Sequence, residues 1–172
     1  MTHLASRANS PPHTPLRRRR LWFRSLDEIT ADVEMLRRHQ VAQLGNWSLG
    51  QICKHLATGM HLSIDGGEEL RTQYPWWQRL LGPLFKHYVL WFGLHPGYRL
   101  KGEPARVLIP EPMETAEGAR ELAEAVRRLQ GEPRRVPRHV LGRFSRAQWD
   151  CYHCRHAELH LSFIVPLGKA TT

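Results

Sequence analysis

The sequence predicts an all-α domain, and three observations carry that reading. Apolar residues recur at three- and four-residue spacing in several separate stretches. Serine followed three residues later by Glu or Gln opens two of these stretches. No stretch shows the sustained alternation of a half-buried strand. The length, 172 residues with 41% apolar content, fits one domain able to bury its own core.

Residues 1–20 read as a disordered basic tail. They hold Arg7 and the run Arg17 to Arg20 with no acid, so they supply five of the nine net positive charges. A helical domain is expected over 21–166 and a short tail over 167–172. The arginine run could touch nucleic acid or anionic lipid, but a solvated leader is the commoner outcome, and nucleic acid is disfavoured as a partner.

The first helix is expected over 26–39. Ser25 and Glu28 form its capping box, and Leu26, Ile29, Val33 and Leu36 its stripe. Ser48 and Gln51 open a second helix that ends near Ile64, before Asp65-Gly66-Gly67. At ~100° per residue His55 falls with Ile52, Leu56 and Met60, and His61 falls opposite. Residues 74–93 are rich in aromatics and predict a helical segment bent or split at Gly82-Pro83. That segment could shape an apolar acceptor site, though core packing is the plainer reading. Glycines and prolines then mark a long connection to residue 112. A helix over 115–130 carries Leu122, Val126 and Leu129. After a loop with His139, read as a surface residue, Ser145 caps a last helix over 146–164, ended by Pro166.

The last helix carries the chemistry. His156 and His160 are four apart, so both rings leave one face. Eleven histidines make one such pair close to a chance event, so spacing alone proves little. The face says more: His153, His156 and His160 share an arc with Trp149 and Phe163, while Arg155, Glu158 and Ser162 lie opposite. Imidazoles among aromatics need their nitrogens bonded or metallated. Periodicity therefore leaves two readings, hydrogen-bonded core histidines and a metal site that also takes His55. Cys151-x-x-Cys154 sits mid-helix on the polar side, which favours two free thiols over a redox or zinc pair. With Cys53, three cysteines cannot all pair, and a reduced, cytoplasmic setting follows. The most apolar stretch, residues 80–94, is too short and too polar to span a bilayer, and no membrane partner is expected.

These residues resemble a family. Asn46-Trp47-Ser48-Leu49-Gly50-Gln51 through His55-Leu56 is similar to the WSLGQ…HL signature of an uncharacterised bacterial branch of the DinB/YfiT-like superfamily. Trp149…His156…His160-Leu161 resembles the W…HxxxHL helix that closes those domains. Gly82-Pro83-Leu84-Phe85-Lys86 and Val107-Leu108-Ile109-Pro110 resemble its middle segments. The likeness implies a DinB-like four-helix bundle with a long crossover, here with an extra aromatic-rich segment. It implies a divalent metal, zinc or nickel first, on His55, His156 and His160. His153 and Gln51 would then be pocket residues or supports behind the ligands. The implied activity is that of a metal-dependent transferase or hydrolase in which a His₃ metal activates a low-molecular-weight thiol or water toward a small-molecule substrate. The alternative is a non-catalytic, metal-stabilised helical binding protein. A homodimer is compatible with either.

Overall fold

A computed structural model describes residues 16–67, 76–97, 107–136 and 143–168. These residues form five helices and one two-stranded antiparallel pair. The helices are α1 (Leu26–Arg37), α2 (Leu49–Asp65), α3 (Trp76–Phe92), α4 (Thr115–Gly131) and α5 (Arg146–Leu161). β1 (Val41–Gln43) pairs with β2 (Ile164–Pro166) in the register Val41↔Pro166, Ala42↔Val165, Gln43↔Ile164. The expected leader up to residue 15, part of the long connection and His139 lie outside the described residues.

The helix starts follow local chemistry. Ser48 with Gln51 and Ser145 with Gln148 form reciprocal capping boxes at α2 and α5. The box expected at Ser25 differs. Ser25 occupies the N-cap of α1 without a side-chain cap bond, and Glu28 accepts from the Arg24 amide at 2.9 Å instead. α3 runs unbroken through Gly82-Pro83 rather than splitting there.

α1, α2, α4 and α5 share one core built from Ile29, Val33 and Leu36, Ile52, Leu56 and Met60, Leu122, Val126 and Leu129, and Leu161. α2 and α4 make the most extensive pairing. α3 docks separately, through Val89 and Leu90 against Trp149 and Tyr152 of α5. Burying one such side chain contributes about 1.5–3 kcal/mol, so two anchors hold α3 far less firmly than the main core holds its members.

Two expectations need correction. The last helix stops at Leu161, and Ile164–Pro166 is a strand. A three-residue strand is too short to show alternation, and the pairing satisfies backbone that would otherwise end a helix unbonded. The second correction concerns the supposed wet side of α5. Arg155, Glu158 and Ser162 are buried there. The segment before α1 covers them. Arg155 lies 3.4 Å over Trp22, donates to the Phe23 carbonyl and pairs with Glu158 at 2.8 Å. Arg18 sits 4.0 Å over Phe163 and donates to the Ser162 hydroxyl, and Arg19 forks onto Asp32 at 2.7 and 2.6 Å. Arg18 and Arg19 are thus structural cations rather than solvated ones. No helix among the described residues is long and apolar enough to cross a membrane.

Candidate metal centre

α2 presents His55 from its second turn, buried against the neighbouring helices. α5 presents His156 and His160 one turn apart. The three rings meet. His55 Nε2 lies 3.1 Å from His156 Nε2, and His160 Nε2 lies 3.2 Å from the same atom. One nitrogen from each ring falls within 4.8 Å of the others, close enough for one ion.

The surroundings fix ring orientation. The Nδ1–H of His55 donates to the Leu108 carbonyl at 2.6 Å, which leaves Nε2 with its lone pair inward. Leu108 belongs to the connection between α3 and α4, and Gln51 holds that connection through a 3.1 Å bond from its amide to the Pro110 carbonyl. Gln51 thus lies beside the backbone that orients His55, while its other amide atom caps α2. Trp47 stacks on His160 with ring centres 5.4 Å apart and leans on His55 at 4.8 Å. Tyr152 stacks on His156 at 6.1 Å. His153 stays outside the triad. It is buried beside Trp149, and its Nε2–H donates to the Ser63 hydroxyl at 3.1 Å, whose own proton goes to the Met60 carbonyl.

Sequence reasoning missed Trp47, Tyr152 and the Leu108 carbonyl as parts of the site. Trp47 was visible as the aromatic one residue before the α2 cap. Nothing in the sequence signals which backbone carbonyl faces His55. A cavity of about 330 Å³ is lined by His55 together with Lys54, Thr58, Leu108, Pro110 and Met113.

A family model described as a protein of unknown function (DUF1569) matches residues 16–167. The chain belongs to the DUF1569 family. No curated protein and no solved structure matches it.

The electrostatics of this DUF1569 site favour neutral rings. Burial pushes the His160 imidazole down to about 3, helped by His55 and the Arg18 guanidinium. Burial also lowers His55, against the Leu108 carbonyl, which favours the protonated ring. Burial pushes Cys53 and Cys154 up to about 12 and raises Cys151 as well, so these free cysteines are thiols rather than thiolate ligands at neutral pH.

A pH dependence follows. In the unfolded chain these histidines take up protons near about 6.5. Between about 3, the folded value of His160, and that pH the unfolded state binds more protons than the native one. Stability therefore rises with pH across that window and is lost as pH falls through it. The metal-free DUF1569 chain is expected to show a urea midpoint that drops steadily below about pH 6.5. His160→Gln should flatten that slope. A wild-type midpoint constant over the window would contradict the assignment of buried, neutral imidazoles.

Proposed function

We infer that His55, His156 and His160 bind a divalent metal, and that the domain is a DinB-like four-helix bundle whose long crossover supports that site. The observation that carries the reading is the convergence of three imidazole Nε2 atoms, with edges of 3.1 and 3.2 Å. A tetrahedral ion with metal–nitrogen distances of ~2.0–2.1 Å holds its ligand nitrogens roughly 3.3 Å apart. The two edges at His156 come close to that value, and the third lies within 4.8 Å. Proton counting agrees. With His55 Nε2 unprotonated, neutral rings cannot fill both contacts at His156 Nε2 with well-directed hydrogen bonds. A cation among the three lone pairs satisfies all of them.

A divalent ion in that position lowers the pKa of a coordinated thiol or water and so supplies a nucleophile at neutral pH. The chain's own contributions are orientation and enclosure. The Leu108 carbonyl holds the His55 tautomer, and Gln51 holds the segment that carries it. Trp47 and Tyr152 wall the imidazoles. The cavity beside His55 is of the size that takes a small acceptor molecule. The reading is a metal-dependent transferase that uses a low-molecular-weight thiol, with zinc or nickel as the first candidates.

Elemental analysis of tag-free protein, joined to an assay of thiol transfer to small electrophiles, tests this. The expected result is about one divalent ion per chain and turnover that disappears on chelation and returns with metal. Protein that purifies and refolds without taking up any divalent ion would sink the metal centre. Stoichiometric metal without turnover for a panel of thiols would instead support a metal-stabilised binding protein.

A further inference from the structure

We propose that the outer face of α3 docks on an anionic lipid surface, the helix lying in the plane of the interface. This does not depend on the metal centre. α3 touches the domain through Val89 and Leu90. Its opposite side presents Leu81, Leu84, Phe85, Tyr88, Trp91 and Phe92 to solvent, with Leu84 and Trp91 each 73% exposed and Phe92 67%. Their spacing is three and four residues, so they form one continuous stripe along the helix. A contiguous apolar stripe of this extent marks an interaction surface rather than scattered exposure.

The charge around the stripe selects the occupant. α3 itself carries Arg79 and Lys86 and no Asp or Glu. The same helix holds six of the chain's fifteen Phe, Trp and Tyr residues. A second copy pairing through the same helix would bring the same two cations to it, with no acid on α3 to meet them, so pairing of α3 with α3 is electrostatically opposed. A bilayer with anionic headgroups is complementary, and each nearby cation strengthens the contact. Single-stranded nucleic acid shares the negative charge and could stack on the aromatics, but Leu81 and Leu84 offer no stacking partner for a base. Hydrocarbon accommodates leucine and aromatic side chains alike, and Trp and Tyr favour the headgroup boundary. α3 is not long and apolar enough to cross a membrane. Lying in the interface requires only one apolar face and basic flanks.

Co-sedimentation of the full chain with vesicles tests the proposal. Phosphatidylcholine vesicles containing about 30% phosphatidylglycerol should bind the protein roughly tenfold better than pure phosphatidylcholine, and salt should weaken that binding. The double variant Leu84→Glu with Trp91→Glu should lose about tenfold or more of the partition. Both positions are exposed, so the melting temperature of that variant should stay near wild type; Leu84→Ser with Trp91→Ser serves as an uncharged check. Absence of binding to the anionic vesicles overturns the proposal. So does binding that neither pair of substitutions weakens. A dimer in sedimentation equilibrium that the double variant dissociates would assign the face to a second copy. Oligonucleotide binding lost in the variant, without vesicle binding, would assign it to nucleic acid.

Discussion

His156→Ala is expected to abolish stoichiometric divalent-metal binding, lowering affinity by about 100-fold or more. Loss of a group that merely supports a ligand costs 10–100-fold in metal affinity, so loss of a ligand sets that range as its floor. His156 is the position to test because its Nε2 is the atom that both other rings approach, at 3.1 and 3.2 Å. Removing it leaves only two imidazoles, His55 and His160, with ring centres 4.5 Å apart, one ligand short of the set. The matched control is His153→Gln. His153 is equally part of α5 and deeply buried, but its Nε2 serves Ser63. That control should keep its metal while losing some stability, since a buried hydroxyl is left without its donor. Elemental analysis and the absorption of cobalt-substituted protein read both. Metal retained by His156→Ala and lost by His153→Gln would reverse the ligand assignment.

The contrast between those two histidines shows how far the sequence reached. The inward arc of α5 was legible because a 3.6-residue period places His153, His156 and His160 beside Trp149. Choosing two of the three needed the HxxxH likeness, since periodicity gives direction and not distance. The opposite arc was misread for a physical reason. Moment arguments assume that a helix has one partner side, and α5 has two. Its second side is covered by residues 18–23, whose arginines look like a solvated run in the sequence. Arg18 and Arg19 are instead held by Asp32, Phe163 and the Leu159 and Leu161 carbonyls at the end of α5. Such a cation reads as free until its acceptors, more than a hundred residues away in the case of Arg18, are known. For the aromatic segment, the plainer expectation of core packing fails. Its richness suggested core packing, yet Phe85, Trp91 and Phe92 point outward. Composition could not tell which side of that helix faces the domain, because both sides are apolar.

Gly50 is expected to tolerate no side chain, and the reason lies in how α2 meets α4. A Cβ at Gly50 would strike the Met113 carbonyl oxygen and come within 2.9 Å of the Glu114 carbonyl carbon. Gly118 reciprocates, since its Cβ would lie 2.5 Å from the Gly50 carbonyl oxygen. Every obstructing atom is backbone, so no rotamer change relieves the clash. The helices would have to separate. Ala in place of Gly returns about 1 kcal/mol of helix propensity. Overpacking costs about 1–3 kcal/mol and more where nothing can yield. The clash therefore wins, and Gly50→Ala should destabilise by about 2 kcal/mol, or roughly 4–8 °C in Tm for a chain of this size. Gly50→Val adds a branched side chain at the same contact and should prevent stable folding. The effect should also reach the site. Gly50 adjoins Gln51, which holds Pro110 and with it the segment whose Leu108 carbonyl orients His55. Separation of α2 from α4 would loosen that bond, so Gly50→Ala should weaken metal binding without removing a ligand. Gly131→Ala, with nothing within 4 Å of the added carbon, is the control and should stay within about 0.5 kcal/mol of wild type. Thermal melts of the three variants decide the matter. A Gly50→Ala protein as stable as Gly131→Ala would mean that α2 and α4 do not approach along Gly50 and Gly118.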